Sequence, residues 1–293
     1  MRVSAVIISR NDNYGGDLNK RATYCLNTML DTFDEVIYVD WNSPGGRPLT
    51  DDIDITVNPE RLKVIVVTPE HAERLMGKED YERGQKCCEV LGRNVGIRRA
   101  TGDVIVSTNI DIIPPKRVYL DDLLKTLCPK SMITLAKHDI TVDFLDQFKN
   151  SYQEIRDDLP LHVGLNSLGK RLIFQINFIN KQILDQIPSE GRQKLHAASV
   201  IEACGDFQIA HRDTWFEIRG FEEDRVKRLF NDTIVQYKAV MNGGTILATN
   251  FPPLYHIDHT RNNAPDLLNN EELPDVSKNS DNWGFGSEEF LVR

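Results

Sequence analysis

Short apolar runs alternate with polar, turn-rich stretches along the first 110 residues. Val3-Ser4-Ala5-Val6-Ile7-Ile8, Glu35-Val36-Ile37-Tyr38-Val39, Lys63-Val64-Ile65-Val66-Val67 and Val104-Ile105-Val106 are β-branched runs of strand length. The near-continuous apolar character of Val104 to Val106 is that of a strand buried on both faces. Between the first two runs the period changes: Ala22, Leu26, Met29 and Leu30 form one stripe of a helix over about 18–32. A second helix is expected over about 81–99, with Ile97 and Ala100 on one face and Gly102 as its left-handed C-cap. Strand, polar loop and helix in repetition predict an α/β fold, a mostly parallel sheet flanked by helices on both faces.

Each run ends in polar residues: Ser9-Arg10-Asn11 after the first, Asp40-Trp41-Asn42 after the second, and Asn109-Ile110-Asp111 after the fourth. Alternation points Asn109 and Asp111 the same way. The carboxyl ends of strands in an open α/β sheet are where ligands bind. A dinucleotide fingerprint is missing after the first strand, and Gly15-Gly16 lacks phosphate-loop spacing, so it reads as a turn.

From about 140 to 199 helical and strand periods mix, which suggests a mainly helical insertion. Beyond it, Gly205 to Ala210 reads as a strand in which Asp206 is buried or lines a cleft. Short helices are expected from Arg212 and from Asn231-Asp232, and a strand from Thr245 to Ala248. The tail is rich in asparagine and acidic residues. It carries Trp283 and Phe285, too apolar to leave free, so it should dock.

Composition narrows the partners. The 293 residues are 40% hydrophobic, enough for a sizeable core, and the net charge of −9 argues against nucleic-acid binding. The five cysteines, Cys25, Cys87, Cys88, Cys128 and Cys204, form no C-x-x-C pair. No apolar run reaches the roughly 18 residues of a membrane span, and the N-terminus has no signal-like charge pattern. A soluble, cytoplasmic protein with no integral membrane segment is expected.

Several residue types could carry chemistry. Asp111 could hold Mg²⁺ or Mn²⁺, or cap a turn. His256 and His259 form an H-x-x-H pair suited to Mn²⁺, or are ordinary core or surface histidines. Arg261 could grip a phosphate or be solvated. Asp232 could be a general base or a helix N-cap.

Four matches together resemble the GT-A fold glycosyltransferases, and among them the large family 2 group. Val6-Ile7-Ile8-Ser9-Arg10-Asn11 resembles that family's first strand and loop, and Val36 to Ser43 its second strand. Arg93-Asn94-x-Gly96-Ile97-x-x-Ala100-x-Gly102-Asp103 is similar to its R-N-x-G-x-x-x-A-x-G-D run. Asn109-Ile110-Asp111 occupies its D-x-D position. Further on, Gly220-Phe221-Glu222-Glu223 resembles a G-F-D-E turn and Asn231-Asp232 an E-D pair. Asparagine replaces the first acid of both acidic motifs.

The resemblance implies a GT-A domain over 1–262, with a nucleotide-binding half (1–112), the insertion (about 140–199) and an acceptor half (200–262), followed by a tail (263–293). It implies transfer of a sugar from a nucleotide-diphosphate donor to a glycan or other hydroxyl acceptor, with inversion. Mn²⁺ or Mg²⁺ would be held by Asp111 with His256 or His259. Ser9, Arg10, Asn11, Asp40, Asn42, Arg93, Asn94, Asn109, Asp206 and Arg261 would contact the donor or acceptor, and Asp232 would be the base. The alternatives are a sugar nucleotidyltransferase, which should carry a glycine-rich, arginine-containing loop after its first strand, and an inactive nucleotide-sugar-binding or assembly module.

Overall fold

The computed structural model describes residues 1–82, 87–148, 152, 176–179, 205–223, 231–260 and 278–293. The first half is a βα repeat: β1 (Val3–Ser9), α1 (Leu18–Thr32), β2 (Glu35–Trp41), β3 (Leu62–Val67), α2 (Pro69–Met76), α3 (Lys78–Glu82), α4 (Glu89–Arg99) and β4 (Val104–Asn109). Then come β5 (Ile112–Ile113), α5 (Arg117–Leu124), β6 (Met132–Ile140), β7 (Ile176–Ile179), β8 (Phe207–His211), α6 (Arg212–Ile218), α7 (Asn231–Met241), β9 (Ile246–Ile257) and β10 (Leu291–Val292).

One sheet carries them in the order β10-β3-β2-β1-β4-β8-β6-β9-β5, with β7 on β9. Its core, β3-β2-β1-β4, is parallel. β8 enters antiparallel between β4 and β6, and β9 runs parallel to β6.

The expected burial on both faces follows from strand alternation. Val3, Ala5 and Ile7 of β1 join the apolar cluster under α1, whereas Val6 and Ile8 join the one under α4. The α4 face is unusually close. A Cβ on Gly92 would strike Ile8, and one on Gly96 would strike Val6. Two glycines one turn apart therefore let the helix backbone lie almost on the strand.

Two local expectations change. The helix expected from about residue 81 is interrupted: Cys88 has extended backbone (φ −96°, ψ 93°), and α4 begins at Glu89. Gly102 is not a left-handed C-cap, since Ala100 ends α4 in an extended conformation. Gly102 is there for space. Its N–H donates to Ser4 Oγ at 2.8 Å, and a Cβ would sit 2.6 Å from that oxygen.

Within the stretch expected to be mainly helical, the described residues form a 3₁₀ segment, Val142–Phe148, and strand β7. Apart from Ile140, which ends β6, Thr141 and Tyr152, the rest of 140–199 lies outside the described residues. At the C-terminus, residues 278–293 fold back on the domain: Trp283 is buried, and β10 pairs with β3. Among the described residues no helix is long and apolar enough to cross a membrane.

Candidate active site

Strand register brings the polar strand ends together. Ser9 is opposite Asp40 on the β1–β2 side, and Ile8 is opposite Asn109 on the β1–β4 side. Thr108 pairs with Phe207, which sets Asp206 across from Asn109. Ile112 pairs with His256, and Ile257 N–H donates to the Asp111 carbonyl at 2.9 Å, so His256 and Asp111 are neighbours. A cavity of about 510 Å³ opens at this edge. Ser9, Arg10, Glu89, Asn109, Asp111, Lys137, Asp206, Asn231, His256 and His259 are among its walls.

Its densest charge is one carboxylate and two imidazoles. Asp111 Oδ2 lies 3.0 Å from His259 Nε2 and 3.7 Å from His256 Nε2. Arg21 Nη1 approaches the same oxygen at 3.3 Å. Burial by itself would raise the proton affinity of Asp111, but the two histidines outweigh it and hold the carboxyl far below the aspartate range. Burial likewise disfavours charge on His256, yet hydrogen bonds to Asp111 and Asp139 raise its pKa.

The group meets the chemistry of a divalent site. Its ligating atoms all lie within 4.8 Å of one another, and Asp111 Oδ1 is buried without a hydrogen-bond partner. One carboxylate oxygen with two imidazole nitrogens suits Mn²⁺. His256 also has the supporting carboxylate such sites carry, with Nδ1 2.7 Å from Asp139 Oδ1. The Gly15-Gly16 turn packs against the third member of the group, His259. Gly15 (φ +73°) passes so close to His259 that a Cβ would collide with the ring. Arg21 Nε ties that turn down through the Gly16 carbonyl at 3.1 Å.

A second polar group sits beside the first. Asn109 Nδ2 donates to Asp206 Oδ1 at 2.6 Å, and Asn109 Oδ1 accepts from Arg93 Nη2. Asp206 Oδ2 is 2.5 Å from Lys137 Nζ. Lys137 follows a register shift in β6 between Leu135 and Lys137, a bulge that re-aims the side chain.

The remaining residues expected at the site take different positions. Arg10 lines the cavity, donating to the Asn42 carbonyl and to Asp12, both at 2.7 Å. Asn11 is held by Ser43 and Asp52 (2.9 and 2.7 Å). Asp40 is fully buried behind the cavity wall and accepts from Ser43 Oγ at 2.6 Å; burial raises its pKa in spite of that bond. Asn42 Oδ1 accepts from Tyr81 OH at 3.1 Å.

Arg93 is buried and reaches Ser107 Oγ at 2.7 Å. Asn94 is a scaffold contact. It donates to the Phe221 carbonyl and Glu223 and accepts from Phe221 N–H, so it anchors the Gly220-Phe221-Glu222-Glu223 turn to α4. Asp232 is not among the cavity walls; its two oxygens accept from Gly205 N–H and Thr233 N–H, each at 3.0 Å. Arg261 lies outside the described residues.

Glu89, Lys137 and Asp139 were invisible to a reading of motifs. The helix expected over about 81–99 places Glu89 in its interior rather than at a start, and nothing local marks the bulge that turns Lys137 inward.

No family model matches the chain, and no curated protein matches it. Solved structures do. That of GalNAc-T7 with UDP, GalNAc and Mn²⁺ superposes with a TM-score of 0.53 at 14% identity, over 89% of this chain and 44% of that one. TarS 1-349 of S. aureus gives 0.48 at 15% identity, over 88% of this chain and 60% of that one. The mannosyltransferase PcManGT from Pyrobaculum calidifontis, in complex with GDP-Man and Mn²⁺, gives 0.49 at 15%, over 89% and 58%. The chain thus spans less than two thirds of each of these proteins. The parallel β3-β2-β1-β4 core, its flanking helices and the GalNAc-T7 superposition give this chain the GT-A fold of the nucleotide-sugar glycosyltransferases.

Proposed function

We propose that this protein transfers a sugar from a nucleotide-diphosphate donor to an acceptor hydroxyl, with inversion at the anomeric carbon. The observation that carries the reading is the Asp111–His256–His259 cluster, set in a cavity at the carboxyl edge of a GT-A sheet. The UDP, GalNAc and Mn²⁺ in the GalNAc-T7 structure are in keeping with it.

Asp111, His256 and His259 would hold Mn²⁺ or Mg²⁺, which when bound offsets the charge building on the diphosphate leaving group. Arg10 offers a guanidinium from the first strand's loop, and Ser9 an adjacent hydroxyl. Asp40, Asn11 and Asn42 support that loop from behind for the nucleotide. Arg93 and Asn109 orient Asp206, whose carboxylate and partner Lys137 face the cavity as acceptor and donor for sugar hydroxyls. Direct displacement also needs one base for the acceptor hydroxyl. The resemblance gives that role to Asp232, next to the cavity residue Asn231.

A screen of UDP-, GDP- and dTDP-sugars by thermal shift, with and without Mn²⁺, should find one donor whose stabilisation needs the metal. Asp111→Ala should remove that metal-dependent shift and lower nucleotide release from the donor by at least about 100-fold, the scale of losing a main electrostatic stabiliser. Unchanged metal-dependent release in this variant would overturn the assignment.

A further inference from the structure

We propose that Asp139 is a positioning residue for the metal group: it fixes the ring of His256 from behind, so that Nε2 faces Asp111, and through that ring it favours Mn²⁺ over Mg²⁺. The inference rests on reading Asp111, His256 and His259 as a divalent-metal site, and it adds a residue from outside that group.

The backbone builds the contact. β6 and β9 run parallel, with Leu135 opposite Thr249. Unbroken pairing would then set Lys137 opposite Phe251 and Asp139 opposite Pro253. The register shift instead sets Lys137 opposite Leu254 and Asp139 opposite His256. The bulge that turns Lys137 toward Asp206 thus also delivers Asp139 to the imidazole. Asp139 Oδ1 lies 2.7 Å from His256 Nδ1.

Chemistry gives that contact a direction. A carboxylate only accepts hydrogen bonds, so Nδ1 carries the ring proton and donates it. Nε2 keeps its lone pair and lies 3.7 Å from Asp111 Oδ2. The His256 side chain is 3% exposed, so solvent cannot replace a missing acceptor at Nδ1. The Asp139 side chain is 55% exposed and is not among the cavity walls, so it acts through His256, and its removal leaves no hole in the core.

His259 is set differently. Its Nδ1 meets the carbonyl of the next residue, Thr260, at 3.0 Å, and its Nε2 lies 3.0 Å from Asp111 Oδ2. Both rings present Nε2 to one carboxylate, but of the two it is His256 that depends on a side chain from another strand. A carboxylate behind an imidazole also strengthens it as a ligand. Mg²⁺ prefers oxygen ligands, so a stronger imidazole helps Mn²⁺ more.

The test titrates the full-length chain with Mn²⁺, followed by the electron paramagnetic resonance of the free ion, and with Mg²⁺ by displacement of Mn²⁺. Asp139→Ala should weaken Mn²⁺ binding by about 10–100-fold. Mg²⁺ binding should weaken by about threefold or less, the share due to losing a nearby negative charge. Asp139→Asn keeps an acceptor for Nδ1–H without the charge and should fall between Asp139→Ala and wild type for Mn²⁺. In a His256→Ala background, adding Asp139→Ala should change Mn²⁺ affinity by no more than about threefold. Wild-type Mn²⁺ affinity in Asp139→Ala, equal losses for the two ions, or a full further loss in the His256→Ala background overturns the assignment while the metal site stands. A wild type that binds no Mn²⁺ removes the metal reading and this assignment together.

Discussion

At the scale of single residues, Asn109 shows why a departure from a family pattern can be structurally required. Its amide faces two ways: the oxygen accepts from Arg93, and the nitrogen donates to Asp206 at 2.6 Å. An aspartate there would set two carboxylates against each other, and like charges at that range force one to take a proton. Asn109→Asp should therefore lower stability by about 1–3 kcal/mol, the range for losing a part-buried hydrogen bond to a charged partner. The reversed pair Asn109→Asp with Asp206→Asn restores both donors and acceptors and should recover most of the loss. Urea unfolding of the four proteins gives the coupling energy; a double variant no better than the single one would show that the two side chains are independent. Asn94 teaches the complementary lesson. It belongs to the most specific motif in the chain, yet its bonds to Phe221 and Glu223 make it a tie between α4 and a distant turn.

At the scale of elements, α4 and α7 carry different burdens. α4 lies against β1 through Gly92 and Gly96 and presents Glu89 to the cavity at its start, so one helix both packs on the sheet and lines the cavity. α7 buries Lys238, and the desolvation of its ammonium lowers the pKa to about 8, with Glu222 and Glu223 opposing the fall. A folded pKa below the unfolded value means that the unfolded chain holds more protons between pH 8 and 10.5. The Lys238 contribution to stability should therefore rise across that window, by on the order of 3 kcal/mol at 1.36 kcal/mol per unit, against a fall from buried thiols and phenols such as Cys88 and Tyr255, whose pKa values burial raises. Lys238→Met should remove that contribution and leave the protein more stable than wild type at pH 7, with the advantage shrinking by pH 10. Urea titrations of both proteins at pH 7 and pH 10 measure the difference, and a difference that does not change with pH would refute the account.

At the scale of the molecule, the C-terminal segment joins parts of the fold that are far apart in sequence. Trp283 packs edge-on to Phe216 at 5.3 Å and under Arg98 at 5.0 Å, while Arg99 donates to the carbonyls of Gly284, Phe285 and Glu288. Arg74 and Glu288 form a two-bonded ion pair, and β10 covers the outer edge of β3. Trp283→Ala should destabilise the whole domain by about 3–5 kcal/mol, the range for emptying a buried aromatic site. Chemical denaturation followed by both tryptophan fluorescence and circular dichroism checks this. A loss under about 1 kcal/mol would mean that the segment is only laid on the surface.

Much of this architecture was legible in residue order. The β-branched runs, the α1 stripe and the polar strand ends are local signals, and they announced the parallel core with polar residues at its carboxyl edge. The H-x-x-H pair and Asp111 could be named from residue type, and they do meet in one cluster. Tertiary structure alone decided which groups each of these residues meets. Asp206 sits 97 residues from Asn109 and reaches it only through the antiparallel register of β8 on β4. His256 reaches Asp111 only because β9 pairs with β5. Glu89 faces the cavity because α4 starts one residue after an extended Cys88. Local periodicity depends on neighbours a few residues apart, so the sequence by itself carries it. Pairing register, burial of charge and the direction of a carboxylate arise from contacts between distant segments, and those exist only once the chain has folded.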